Sequence, residues 1–276
     1  MSKDISKNQA FLIDMTKCTG CRGCQVACKQ WNDNEGFIPG VRETKNVGSY
    51  ENPLSLDPQT WTRIKFTEYE DPNRGLLWLF LKEGCMHCGE AACVDVCPTG
   101  ALKYGPNGIV TYERDLCNGC GYCSQFCPFG IPQLEVVNTL TGEAKSSKCF
   151  FCQDRTTNGL KPACVKTCPA AALDWGDRDA MISKAEGRVN KLKSELGFPE
   201  ANVYGKTQLG GLGRIYVLTA PPEEYGLPSD PKYPAMSTLW QKILQPVGQI
   251  AFGATVVGAV AAFFVARRNV NMEEVE

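Results

Sequence analysis

Sixteen cysteines, gathered without exception into four groups of four, constrain this 276-residue chain more than any other feature. The groups are Cys18, Cys21, Cys24 and Cys28; Cys85, Cys88, Cys93 and Cys97; Cys117, Cys120, Cys123 and Cys127; and Cys149, Cys152, Cys164 and Cys168. The first and third carry successive gaps of two, two and three residues. The second lengthens one gap to four residues and the fourth to eleven. Three closely spaced cysteines wrap a tight loop around three irons of a cuboidal cluster. In paired ferredoxin sites the fourth cysteine belongs to the other cluster. Proline follows Cys97, Cys127 and Cys168, where it ends the ligand turn, whereas Lys29 follows Cys28. Glycines 20, 23, 119 and 121 lie inside the turns, as a backbone passing close to a bulky cofactor requires.

Two rival uses of cysteine fit less well. Structural zinc takes two separated pairs of ligands, commonly with histidine, and leaves the third close cysteine unexplained; His87 is the sole imidazole. Disulfides are a poor match to cysteines two residues apart, and the N-terminal sequence MSKDISKNQAFLID shows neither a signal-type apolar stretch nor a twin-arginine pair. Sixteen thiolates fill four 4Fe-4S clusters with none left over. Each oxidised cluster with its thiolates carries a charge of about −2. The polypeptide itself stands at −1, from 29 basic and 30 acidic residues, so it has no excess of positive charge for a nucleic acid. His87, between two cysteines, reads as packing in its ligand loop, with a proton-carrying or outer-shell role as the alternative. Nothing resembles a nucleophile with its base, and no catalytic residue is assigned.

The remaining segments supply scaffold. Residues 30–84 form an insertion with two strand-like runs, WTRIKFTEY and LLWLFL, and QLEVVN is a further short strand. Ile182, Ala185, Val189, Leu192 and Leu196 fall at helical spacing within 177–196. GRIYVLTA is a strand, and Gly210, Gly211 and Gly213 before it form a turn, because a nucleotide loop follows its strand. Five prolines in 221–234 suggest a stiff linker. From Ile243 to Ala266 there is no charge, enough for about 36 Å of helix. Lys242 and the Arg267–Arg268 pair flank it, with Tyr233 and Trp240 on the near side, and we read one transmembrane helix. A buried helix of a soluble domain is the rival.

The runs CRGCQVACKQWND, GCMHCGEAACVDVCPTGA, CNGCGYCSQFCPFGIP and KPACVKTCP resemble the four-cluster ferredoxin-type subunits of the molybdopterin oxidoreductases. With RVNKLK, GGLGRIYVL and the terminal helix, the chain is most similar to the iron–sulfur (beta) subunits of membrane-bound respiratory formate dehydrogenases. That resemblance implies an α+β fold of two interleaved ferredoxin-like 4Fe-4S lobes followed by a single C-terminal transmembrane helix. The expected division is 1–80 for the first part of the outer lobe with its insertion, 81–136 for the inner lobe and 137–176 for the second part of the outer lobe. Residues 177–240 then hold helix, strand and linker, 241–268 the membrane helix, and 269–276 a short tail.

Spacing alone leaves the pairing of groups open; the resemblance joins the first with the fourth and the second with the third. It implies Cys18, Cys21, Cys24 and Cys168 on one cluster and Cys85, Cys88, Cys93 and Cys127 on the next. Cys117, Cys120, Cys123 and Cys97 hold the third, and Cys149, Cys152, Cys164 and Cys28 the fourth. It also implies electron transfer from a catalytic subunit with molybdenum or tungsten and pterin to a haem b, quinone-reducing membrane subunit. The place would be the cytoplasmic membrane, with the cluster domain on its outer, periplasmic face. Basic residues do not decide the side: Lys232 and Lys242 precede the helix, Arg267 and Arg268 follow it. A sulfur-compound reductase partner and a self-contained iron–sulfur enzyme remain the alternatives.

Overall fold

Each cysteine group ends on a short helix, and the segments between groups are hairpins that return the chain to the next group. In the computed structural model, which describes residues 8–34, 50–71 and 74–269, strand β1 (Gln9–Asp14) leads into the first group and helix α1 (Gly23–Trp31). The insertion supplies β2 (Thr62–Asp71) and β3 (Gly75–Gly84), antiparallel throughout. After the second group come α2 (Ala92–Asp95) and the hairpin β4 (Leu102–Tyr104) and β5 (Val110–Tyr112). The third group ends on α3 (Tyr122–Gln125), followed by the hairpin β6 (Gln133–Asn138) and β7 (Glu143–Ser147). The fourth group spans α4 (Gln153–Thr156) and α5 (Ala163–Thr167). Strand β8 (Leu173–Asp177), helix α6 (Arg178–Glu195), β9 (Asn202–Tyr204) and β10 (Arg214–Leu218) complete this unit, which closes at Tyr233.

A four-stranded sheet in the order β8-β1-β10-β9 ties the ends of this sequence together. Strand β1 runs antiparallel to β8 and parallel to β10. Alternation along β1 and β10 sends Ala10, Leu12, Ile215 and Val217 to one face, where Met181, Ala185, Val189 and Leu192 of α6 cover them. Phe11, Ile13, Tyr216 and Leu218 go to the other face, into the core shared with the cysteine loops. Both faces are buried, which is why RIYVL reads as an unbroken apolar run. Helix α6 begins where expected because the Asp177 carboxylate accepts from the Asp179 and Ala180 amides. Leu196, assigned to its apolar stripe, lies just past its end and is exposed.

Two helix contacts organise the cysteine loops: α1 packs on α5, and α2 on α3. First group thus meets fourth, and second meets third. The glycine turn before β10 is built against the second group. Gly89 donates to the Gly211 carbonyl at 2.7 Å and Glu90 to Leu209 at 2.7 Å. A β-carbon on Gly89 would stand 2.1 Å from the Gly210 carbonyl oxygen.

The structure departs from the sequence reading in the proline-rich segment. Up to Tyr233 it is not a free linker: Tyr225 and Leu227 join the core, and Tyr204 donates to the Pro228 carbonyl at 2.8 Å. Proline spacing describes backbone stiffness and carries no information about these tertiary contacts.

The second unit, Pro234–Glu276, is helical as far as it is described: α7 (Ala235–Leu239), a π-helical turn over Trp240–Leu244, and α8 (Gln245–Asn269). Pro246 has no amide to continue the α ladder, and Gln245 bonds instead to the Trp240 carbonyl, five residues back. Residues 245–268 are long and apolar enough to cross a membrane, at about 36 Å, and none of this helix is buried within the chain, unlike the core helix of a soluble domain. Residues 1–7, 35–49, 72–73 and 270–276, with the tail NMEEVE, lie outside the described residues.

Backbone apposition at the glycine turn predicts opposite outcomes for two glycine-to-alanine changes. Gly89→Ala should destabilise by about 1–3 kcal/mol or more through the clash with Gly210. Gly187→Ala, in α6 with open space around it, should stabilise by up to about 1 kcal/mol through helix propensity. Thermal unfolding of the two purified variants measures both.

Candidate metal centres

In every group the third and fourth cysteines are four residues apart, about one helical turn: Cys24 and Cys28, Cys93 and Cys97, Cys123 and Cys127, Cys164 and Cys168. Both members of the first pair lie in α1, and the third cysteine of each other group lies in α2, α3 or α5. The first two cysteines are presented by one recurrent turn. The residue before the second cysteine is left-handed in all four loops: Gly20 (φ 66°), His87 (φ 50°), Gly119 (φ 73°) and Phe151 (φ 67°). Two of these are glycine, and a β-carbon on Gly119 would meet the Ala144 carbonyl oxygen at 2.4 Å. His87 and Phe151 hold the same strained conformation because packing fixes them; they are buried, and their rings meet edge-on at 5.0 Å. This shared turn accounts for His87 without any chemistry. The sequence signal, the position before each second cysteine, was available but is masked by the change of residue type.

The structure brings the thiols together in sets that cross the groups. Cys18, Cys21, Cys24 and Cys168 line a cavity of about 390 Å³, part of it open to solvent. Cys28, Cys149, Cys152 and Cys164 line another of about 310 Å³, and Cys97, Cys117, Cys120 and Cys123 a third of about 310 Å³. The Cys93 thiol is surrounded by Cys85, Cys127 and Cys88. Each set takes three cysteines from one group and the last cysteine of another. Cys21 and Cys120 are exposed, whereas every member of the set containing Cys28 is buried.

The chemistry of these donor sets fits a large anionic cluster. All sixteen thiols are free. Among the described residues no three of His, Cys, Asp or Glu are grouped tightly enough for a single metal ion, whereas a four-thiolate zinc site gathers its sulfurs at about 2.3 Å from one metal. Backbone amides already approach the sulfurs: Gly119 and Ser146 reach Cys117 Sγ at 3.4 and 3.3 Å, and Phe151 reaches Cys149 Sγ at 3.4 Å. Such bonds stabilise sulfur-borne negative charge.

The strongest sign that these sites suit an anion is a trio of buried cations beside the thiols. Lys82, Lys148 and Arg214 are 3%, 1% and 1% exposed. None of the ion pairs among the described residues includes them, although a lone buried charge costs several kcal/mol. Lys82 and Arg214 line the cavity of Cys28 and Cys149, and Lys82 also lines that of Cys18 and Cys168. Lys148 acts on Cys93, and its ammonium donates to the Val110 and Cys149 carbonyls at 2.7 and 3.0 Å. Burial disfavours the charge of Arg214, yet Tyr216 and the thiols of Cys149 and Cys164 raise its pKa above the usual arginine value. These cations and the cavities they face are complementary to clusters of about −2 each. Sequence reading did not find them, because a lysine in a strand is ordinarily a solvated residue.

Comparison with known proteins agrees with this chemistry. Two models described as a 4Fe-4S dicluster domain match the chain, over residues 17–101 and 76–178. The chain is 41% identical to the formate dehydrogenase iron-sulfur subunit of Haemophilus influenzae, over all of this chain and 86% of that protein. It is 41% identical to the iron-sulfur subunit of the nitrate-inducible formate dehydrogenase of Escherichia coli, over 94% and 85% of the two chains. Likeness to one polypeptide of the anaerobic dimethyl sulfoxide reductase of Escherichia coli is lower, 36% over 65% of this chain and 78% of the relative.

Burial gives iron loading a pH dependence. It pushes the Cys24 thiol up to about 11 and the Cys152 thiol up to about 12, so without iron both are protonated at neutral pH. Ligation must displace those protons, and acid opposes it. Iron bound per chain after reconstitution should therefore be lower at pH 6 than at pH 8.5, with protons released into a weakly buffered solution.

Proposed function

The chain belongs to the iron–sulfur subunits of formate dehydrogenase complexes, and from that premise we propose how its residues divide the work. It is an electron-transfer subunit with four 4Fe-4S clusters, and a separate subunit performs the catalysis. Bound clusters supply one-electron carriers spaced through the protein. Everything else is done by the chain: holding thiolates, keeping water away and supplying positive charge.

Cys18, Cys21, Cys24 and Cys168 hold the first cluster; Cys85, Cys88, Cys93 and Cys127 the second. Cys117, Cys120, Cys123 and Cys97 hold the third, and Cys149, Cys152, Cys164 and Cys28 the fourth. The grouping of thiols around common cavities carries this reading. Exposure of Cys21 and Cys120 supports electrons entering and leaving at those two loops. The buried fourth set, with Lys82 and Arg214 on its wall, serves as an interior station.

The proposed partners are a pterin-bearing catalytic subunit, with molybdenum or tungsten, and a haem b membrane subunit. The catalytic subunit faces the lobe of the first and fourth groups, and the membrane subunit faces the lobe of the second and third. Coverage of 94–100% of this chain by formate dehydrogenase relatives, against 65% by the sulfoxide reductase relative, favours formate as the electron source. Helix α8 crosses the cytoplasmic membrane once. Ala254, Gly258 and Ala262 at four-residue spacing allow close approach of a partner helix, and the Thr255 hydroxyl is satisfied by the Ala251 carbonyl at 2.9 Å. The cluster domain lies outside, and crosses folded and bound to a partner that bears an export signal.

The function is tested by adding formate to the purified complex, which should reduce all four clusters. The isolated chain should bind about sixteen irons and oxidise no formate. Within the complex, Cys28→Ser should alter the same paramagnetic signal as Cys149→Ser and leave that altered by Cys18→Ser unchanged. Cys28 and Cys18 acting on one signal would break the sharing. Protease added to intact spheroplasts should degrade the cluster domain; digestion in inverted vesicles alone would reverse the orientation.

A further inference from the structure

Of the trio of buried cations beside the thiols, Lys82 lines two of the cavities described above. It lies near the end of β3, where the period of two places it with Leu76, Trp78 and Phe80, on a face with no other charge. Its ammonium donates to the Thr62 hydroxyl at 2.7 Å, and that hydroxyl donates in turn to the Glu83 carbonyl at 2.7 Å. Thr62 accounts for one of three ammonium donors and brings no negative charge. The backbone is fixed as well: Tyr216 donates to the Lys82 carbonyl at 2.8 Å and Arg214 at 3.3 Å. Such anchoring is more than a lysine needs merely to be tolerated.

The sulfurs within its reach belong to both cavities. Cys18 and Cys24 share one cavity wall with it, and Cys28 shares the other. The other two cations act more narrowly. Arg214 lines the cavity of Cys28 and not that of Cys18, and Lys148 faces Cys93, its ammonium already bound to two carbonyls.

We propose that Lys82 is a shared counter-ion of the first and fourth clusters and raises the reduction potential of both. The inference rests on the ligand sharing proposed above. Accepting one electron takes a cluster and its thiolates from about −2 to about −3, with no atom or proton transferred. In a medium of low dielectric a fixed cation lowers the energy of the more negative state further. One ammonium between two neighbouring sites also offsets the repulsion between them when both are reduced. Lys82 is in this sense a positioning residue for electrons: it ligates nothing and acts through the charge it places.

The test is a redox titration of the purified complex followed by paramagnetic resonance, with Cys21→Ser and Cys152→Ser marking the first and fourth clusters. Lys82→Met should lower the reduction constants of those two clusters about tenfold each, equivalent to about 59 mV for one electron. The other two should stay within about threefold, and Lys82→Arg, which keeps the charge, should hold all four near the parent. Unmoved potentials in a fully loaded Lys82→Met complex, or a shift of one cluster alone, would overturn the inference and leave the ligand sharing intact. A parent complex with fewer than four clusters would overturn that sharing and the inference with it. If Lys82→Met does not load, Thr62→Asp decides the matter, since it neutralises the ammonium in place. The same two potentials should fall, and their constancy counts against Lys82.

Discussion

Negative charge inside the protein is the constraint on which the rest of the structure depends. Four clusters add about −8 to a chain whose own charge is −1, within a domain small enough that much of this charge lies far from water. Two devices meet it. Backbone amides in the cysteine loops point at sulfur, which requires the left-handed turn that Gly20, His87, Gly119 and Phe151 share. Side-chain cations come from elsewhere: Lys82 from the insertion hairpin, Lys148 from the strand end before the fourth group, Arg214 from β10. A hairpin and a sheet that contribute no ligand are thus part of the cofactor environment. Removing the sheet would remove Arg214 and free the Lys82 carbonyl from Tyr216 and Arg214.

What the sequence disclosed follows from the range of the forces involved. Ligand spacing is local, because one cluster face is spanned by a few residues, so all sixteen cysteines stand out as candidate iron ligands in the sequence alone. Strand β10 and helix α6 were legible because burial of one or both faces writes a period into the sequence. Pairing between groups was not legible in spacing. It depends on β1 meeting β8 and on α1 meeting α5, contacts between residues more than a hundred positions apart. Lys82 was missed for a different reason. It follows directly on the apolar run LLWLFL, and a lysine at a strand end is ordinarily taken for a residue that reaches water. Only the cavities on either side show why it is buried.

The same topology bears on stability and rigidity. Bringing Cys28 beside Cys149 closes a loop of about 120 residues, at an entropic cost of about 4 kcal/mol. That loop contains the whole second and third groups, so the inner lobe is held within a frame closed by α1 on α5 and by β1 on β8. Electron carriers benefit from such a frame, because a site that barely rearranges on reduction needs little reorganisation of its surroundings. Phe151 is a local instance: buried, left-handed, and packed between His87 of the second loop and Phe11 of β1. One side chain ties an inner-lobe loop, an outer-lobe loop and the central sheet.

A consequence for assembly follows from the order of the ligands along the chain. On the proposed sharing, the first and fourth clusters each need cysteines from both ends of the 18–168 segment. The fourth cannot be completed until residue 164 has been made, nor the first until residue 168 has been made, just before β8, which pairs with β1. The inner pair draws its ligands from residues 85–127 and can be completed earlier. On that sharing the inner ligand sets are complete first, and the outer frame would close over a lobe able to have been charged already. The buried lysines make that order matter, since Lys148 meets its counter-charge with the inner lobe and Lys82 only when the frame closes. An unloaded outer lobe would leave Lys82 buried without a counter-charge, a state disfavoured by several kcal/mol. Cluster insertion and closure of the outer lobe are in this way one coupled step, and a chain that crosses a membrane after folding would cross it with its clusters in place.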